Sequence, residues 1–103
     1  MFQLGTALLD ACVLAILARS DTYGYALTQS VRGVIAVSES ALYPVLRRLQ
    51  KEGLLTVYDR AFNGRNRRYY QITAGGHGRL TQLCASWAEF KQKVDQVLEG
   101  GVS

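Results

Sequence analysis

Eight of the twelve lysines and arginines in this 103-residue chain lie between Arg47 and Arg79, with only Glu52 and Asp59 to offset them. That segment carries +6, the whole chain +4, so the flanks are mildly acidic. One arginine is an ordinary solvated charge, but a block of them points to an anionic partner met by one face. Two subsets have spacing that could do specific work. In "SALYPVLRRLQKEGLL", Tyr43 and Pro44 precede Arg47 and Arg48 by about one helical turn and Lys51 by about two. In "AFNGRNRRYY", Arg65, Asn66, Arg67 and Arg68 crowd the Asn63-Gly64 pair. Other chemistry is sparse. Cys12 and Cys84 lack metal-ligand spacing and His77 is the chain's one histidine, so we read two buried thiols, a surface imidazole and no metal. With no paired carboxylates and no Ser–His or Cys–His spacing, nothing argues for an enzyme or a cofactor.

The basic residues must be positioned by a small scaffold. Leu4 to Ala18 reads as a helix, apolar nearly all round with Asp10 its single charge, which needs cover on more than one side. It has no basic leader, is too short to span a bilayer, and leaves a cytoplasmic protein as the expectation. A second helix follows in "SDTYGYALTQSVRG", with Asp21 or Thr22 as N-cap, Gly33 as C-cap, and Tyr23, Leu27 and Val31 on one stripe. Ser38 or Ser40 caps a third helix. Leu42, Val45, Leu46 and Leu49 form its inner face, Ser40, Pro44, Arg47 and Lys51 its outer face, with Tyr43 and Arg48 on the margins. Gly53 ends it.

"LLTVYDR" and "RRYYQIT" are strands joined at Asn63-Gly64 as a hairpin, with Tyr69 and Tyr70 on opposite faces. From "TAGGHG" a long last helix runs to Gly100-Gly101. The glycine-rich start weakens helix propensity and is read as a flexible joint.

Three helices and a hairpin, mainly α, have the order of a winged helix-turn-helix, here with a C-terminal helix appended. The division expected is 1–73 for the winged domain, 74–99 for the last helix and 100–103 for a tail. In that architecture the third helix enters the DNA major groove and the hairpin, or wing, lies beside it. With Ser40 as N-cap, Pro44 falls at the edge of the first turn, where its missing N–H costs little. Tyr43 and Pro44 would rest on phosphate and sugar or a thymine methyl, and Arg47 and Arg48 reach guanine edges or phosphates. Ser38 and Ser40 stand at the helix start, where the dipole favours phosphate. Lys51 extends the basic face. Arg65, Asn66, Arg67 and Arg68 would place the wing tip in an adjacent minor groove.

"TYGYAL", "ALYPVLRRLQKEGLL" and "GRNRRYYQIT" resemble, in order and spacing, the signature blocks of the PadR family of bacterial transcriptional regulators. The resemblance runs from about Leu8 to Phe90, and the single helix after the wing is similar to the family's short subgroup. It implies a homodimeric repressor of a pseudo-palindromic operator, dimerised through the last helix, and in several members released by a small, often aromatic, molecule. Gln50 stands where the family usually has glutamate.

The last helix supports the dimer independently. Leu80, Leu83, Trp87, Phe90, Val94 and Val97 are spaced 3, 4, 3, 4, 3, the seam of a helix packed along another. Trp87 and Phe90 are either interface anchors or, with Leu8, Leu9 and Cys12, the walls of a pocket for a flat aromatic effector. A winged-helix module that binds proteins rather than DNA is the alternative, and predicts an apolar third helix.

Overall fold

The computed structural model describes residues 4–100. Helix α1 (Leu4–Arg19) leads through a two-residue strand β1 (Thr22–Tyr23) into α2 (Gly24–Arg32) and α3 (Glu39–Lys51). Strands β2 (Leu55–Phe62) and β3 (Arg65–Ile72) form the hairpin, and α4 (Ala74–Leu98) closes the chain. The core gathers one face from each element: Val13, Leu14 and Leu17 of α1, Leu27 and Val31 of α2, Leu42, Leu46 and Leu49 of α3, then Leu54, Leu55 and Tyr70. At roughly 1.5–3 kcal/mol per large buried aliphatic side chain, these contacts hold the three helices against the sheet.

The chain between α2 and α3 is short, and Arg32 and Gln29 both reach Glu39 across it, at 3.9 and 3.4 Å. Ser38, not Ser40, is the N-cap of α3: its hydroxyl accepts from the Ala41 amide at 3.2 Å. Pro44 is therefore the sixth helical residue, two residues deeper than a Ser40 cap would put it, and the Ser40 carbonyl loses its usual intrahelical donor. Position alone does not relieve that cost. At the other end Glu52 caps, Gly53 turns left-handed at φ 77°, and the amides of Gly53 and Leu54 return to Gln50 and Leu49 as a Schellman motif.

Asn63 and Gly64, at φ 50° and 78°, make a two-residue turn, so the strands run closer to the tip than the composition indicates. Residues Thr22 and Tyr23 depart from the helix expected there: they pair with Tyr70 and Tyr69 as an outer strand, giving sheet order β1-β3-β2, and Tyr23 itself is the N-cap of α2. Asp21 does not cap. It accepts from the Tyr58 hydroxyl at 2.7 Å and the Gln71 amide at 3.2 Å, tying the α1–α2 connection to the hairpin.

The start of α4 is not a loose joint. Thr73 caps it, accepting from the Gly76 amide at 3.0 Å while its hydroxyl donates to the Gly53 carbonyl at 2.7 Å. A Cβ on Gly76 would collide with the Leu54 carbonyl and the Ile72 side chain, so glycine is there to let the helix start press onto the end of α3. Gly100 turns left-handed after the Glu99 cap; Gly101 and the rest of the expected tail lie outside the described residues. With 25 residues, α4 is about 37 Å long and stretches the molecule to 62 Å. No helix of the described residues is long and apolar enough to cross a membrane.

Candidate nucleic-acid interface

Leu42, Leu46 and Leu49 face inward, so the opposite side of α3 faces out. Tyr43, 39% exposed, and Arg47 and Gln50 form one wall of an open groove of about 1020 Å³. The facing wall is the hairpin, through Asp59, Asn66, Arg67, Arg68 and Tyr70, and Tyr23, Gly24 and Tyr25 of the β1–α2 junction complete the lining. Alternation along β3 explains the division of labour: Tyr70 is buried beneath the groove, while Tyr69 lies on the far side of the sheet. Burial pushes the Tyr70 hydroxyl above its ordinary pKa, with Arg68 and Arg47 near enough to pull the other way. Lys51, Pro44 and Ser40 are exposed on the same helix, and Arg65 is exposed beside the hairpin turn. Gln50 was not among the residues singled out from sequence as a contact, yet its position three after Arg47 places it on the same face.

One arginine expected at the interface is held elsewhere. Arg48 turns to the protein: its guanidinium donates to buried Asp10 of α1 and to Glu52 at 3.4 Å, and Arg79 of α4 meets Glu52 at 3.5 Å. The hydrogen bond to Asp10 raises the Arg48 pKa above its already high ordinary value. A charge half sunk into the α1–α3 contact needs that partner, so Arg48 is drawn off the outward face. The result is a chain of ion pairs joining α1, α3 and α4. Asp10, the one charge in the apolar run from Leu4 to Ala18, was the sequence signal for it.

Arg67 also lines the groove, and its guanidinium lies over the rings of Phe62 at 4.0 Å and Tyr23 at 4.4 Å. Arg60 lies over Tyr69 at 5.6 Å, and Tyr69 stacks on Tyr58 at 5.6 Å. This cation–aromatic ladder stiffens the hairpin. Arg65, Asn66 and Arg68 keep exposed side chains at its tip.

The candidate seam divides. Leu80 and Leu83 pack partly buried against the protein's own core, whereas Trp87 is 36% exposed and Val97 69%. Trp87 and Phe90 lie 6.1 Å apart, ring to ring. Where α4 passes α1, Leu8, Ala11, Cys12, Leu80, Cys84 and Trp87 line an apolar pocket of about 210 Å³. Phe90 is not among its walls. Cys84, expected to be buried, is exposed on the single chain, and Cys12 is half-buried. His77 is exposed as expected.

The match to known proteins follows the same outline. Residues 13–82 match the model of the transcriptional regulator PadR-like family. A transcriptional regulator of Mycobacterium tuberculosis is 39% identical over 78 residues, 75% of this chain and 73% of that one. A Streptococcus mutans protein of known structure superposes with a TM-score of 0.90 at 33% identity, over 99% of this chain and 96% of its own. Bacillus subtilis PadR in complex with operator DNA shares the fold, with a TM-score of 0.65 at 22% identity over 73% of this chain and 45% of that one. The helix-turn-helix, the hairpin and the start of α4 all fall within the family match, and this chain belongs to the PadR-like family of transcriptional regulators.

Proposed function

We propose that the protein is a homodimeric, sequence-specific DNA-binding regulator that acts as a repressor. The observation that carries the reading is the groove between α3 and the hairpin, walled by Tyr43, Arg47 and Gln50 on one side and Asn66 and Arg68 on the other. In this reading α3 lies in the major groove. Arg47 addresses guanine edges, Gln50 can take adenine N6 and N7, and Tyr43 donates to a phosphate. Ser38, Ser40, Pro44 and Lys51 flank these contacts. Arg65, Asn66, Arg67 and Arg68 follow the backbone into the neighbouring minor groove, with Arg67 also holding the hairpin's shape.

Residues 1–73 form the reading unit, and 74–99 join two copies through Trp87, Phe90, Val94 and Val97. Two-fold symmetry then sets half-sites about one helical turn apart, roughly 34 Å. A flat aromatic effector beside Leu8, Cys12, Trp87 and Phe90 would regulate by favouring one spacing of the two α3 helices over another. The ion pairs from Asp10 and Arg79 to α3 are the physical connection available for it.

Selection of bound fragments from a random duplex pool tests the reading, since it reports binding, specificity and spacing together. A two-fold motif with half-sites one turn apart is the expected result. Recovery of unenriched sequence would contradict specific readout, and no salt-dependent duplex binding at all would favour a winged-helix module for protein partners.

A further inference from the structure

Cys12 and Cys84 are far apart in sequence, with nothing in their spacing to join them. The packing of α1 against α4 brings both to the wall of one pocket, and neither is in a disulfide. Apart from their two sulfurs, the side chains around it offer hydrocarbon from Leu8, Ala11 and Leu80 and the Trp87 indole. An aliphatic cavity of about 150 Å³ accepts benzene, so 210 Å³ accommodates one aromatic ring. Two soft sulfur ligands beside such a space select a soft, thiophilic centre carried on an apolar body. Among the described residues no cluster of three or more His, Cys, Asp or Glu could hold a metal ion, so the pair is suited to a centre that needs only two thiols.

We propose that Cys12 and Cys84 together capture a trivalent aryl arsenical, the arsenic bridging the two sulfurs and the ring lying in the apolar pocket beside Trp87. The step is a condensation. Two As–S bonds form, the arsenic–oxygen double bond is lost, and the oxygen leaves as one water with both thiol protons. Arsenic stays trivalent and nothing is oxidised or reduced. Burial raises the Cys12 pKa, which keeps it a neutral thiol near pH 7 and slows simple alkylation. Condensation suits that state, because the thiol proton departs with the oxygen. The pocket is the one given to an effector under the proposed function, but capture is read on the protein alone, so its test does not depend on DNA binding.

The probe is phenylarsine oxide, added to the full chain and followed by intact mass and by emission of Trp87, the chain's one tryptophan. The expected result is one phenylarsenic group per chain and loss of most Trp87 emission. The adduct should survive excess glutathione and be stripped by 2,3-dimercaptopropanol. Cys84→Ser, at a position exposed on the single chain, should abolish the glutathione-resistant adduct, and Cys12→Ser should do the same. No adduct on the wild-type chain, a resistant adduct in either variant, or one arsenic joining two chains would each overturn the proposal.

Discussion

The surface around α3 and the hairpin and the surface along α4 are unfinished in opposite ways. In the first, the groups left exposed by folding are Tyr43, Arg47, Lys51, Arg65, Asn66 and Arg68, which bond to water as well as to a partner. In the second they are Trp87, Val97 and Leu98, the last two 69% and 78% exposed, which water does not compensate. Both regions belong to elements anchored by the same leucine core, so the difference lies in what each is left to meet. A basic surface stays hydrated when uncovered, and its pull on a polyanion reaches over a distance set by salt. The apolar region gains only when something dry covers it. In the proposed function the first does the readout and the second the assembly, and the Asp10–Arg48–Glu52–Arg79 ion pairs run between them.

The comparison can be broken most severely at Trp87. Trp87→Asp places a charge in the apolar seam, and sedimentation should find monomers or unfolded chain; an unchanged dimer would mean that α4 is not the assembly surface. Next in size is the junction between the regions. Arg48→Ala strands Asp10 inside the α1–α3 contact and should cost about 3–5 kcal/mol in denaturant unfolding. Asp10→Ala should cost less, because Arg48, with 36% of its side chain exposed, can rehydrate and keep Glu52. Equal losses would show that the charge burial is not what matters.

Two glycines at the head of α4 sharpen the picture at smaller scale. Gly76→Ala should lose about 1–3 kcal/mol by driving the helix start off Leu54 and Ile72. Gly78→Ala, with open space around its Cβ position, should instead gain up to about 1 kcal/mol of helix stability. A thermal melt that moves the same way for both would return the segment to the status of a flexible joint. Smallest is Ser38→Ala, expected to cost about 1 kcal/mol by removing the α3 cap, whereas Ser40→Ala should cost less.

Where one side chain's period decided its fate, the sequence was readable. The leucines of α3, the opposed faces of Tyr69 and Tyr70, and the Asn63-Gly64 turn all follow from spacing and backbone preference. What was hidden depended on neighbours remote in sequence. Arg47 and Arg48 are adjacent and identical in type, yet only the presence of Asp10 on another helix separates an outward arginine from an inward one. Arg67 is one of three arginines at the wing, and Tyr23, drawn into the sheet as an added strand, joins Phe62 in holding its guanidinium. Local helix propensity likewise misled at Thr22–Tyr23 and at Gly75–Gly76, where sheet pairing and close packing outweighed it.

The central claim is that the α3–hairpin groove reads DNA by sequence while the wing tip holds its backbone. Fluorescence anisotropy with a selected duplex and a scrambled one, each titrated over salt, tests it directly with two variants. Arg47→Ala should weaken selected-site binding by about 1–3 kcal/mol and narrow the gap between the duplexes. Arg65→Ala should weaken both duplexes alike and lower the salt slope by about 1. Wild-type protein that binds the two duplexes equally, or an Arg47→Ala variant indistinguishable from it, would contradict the account.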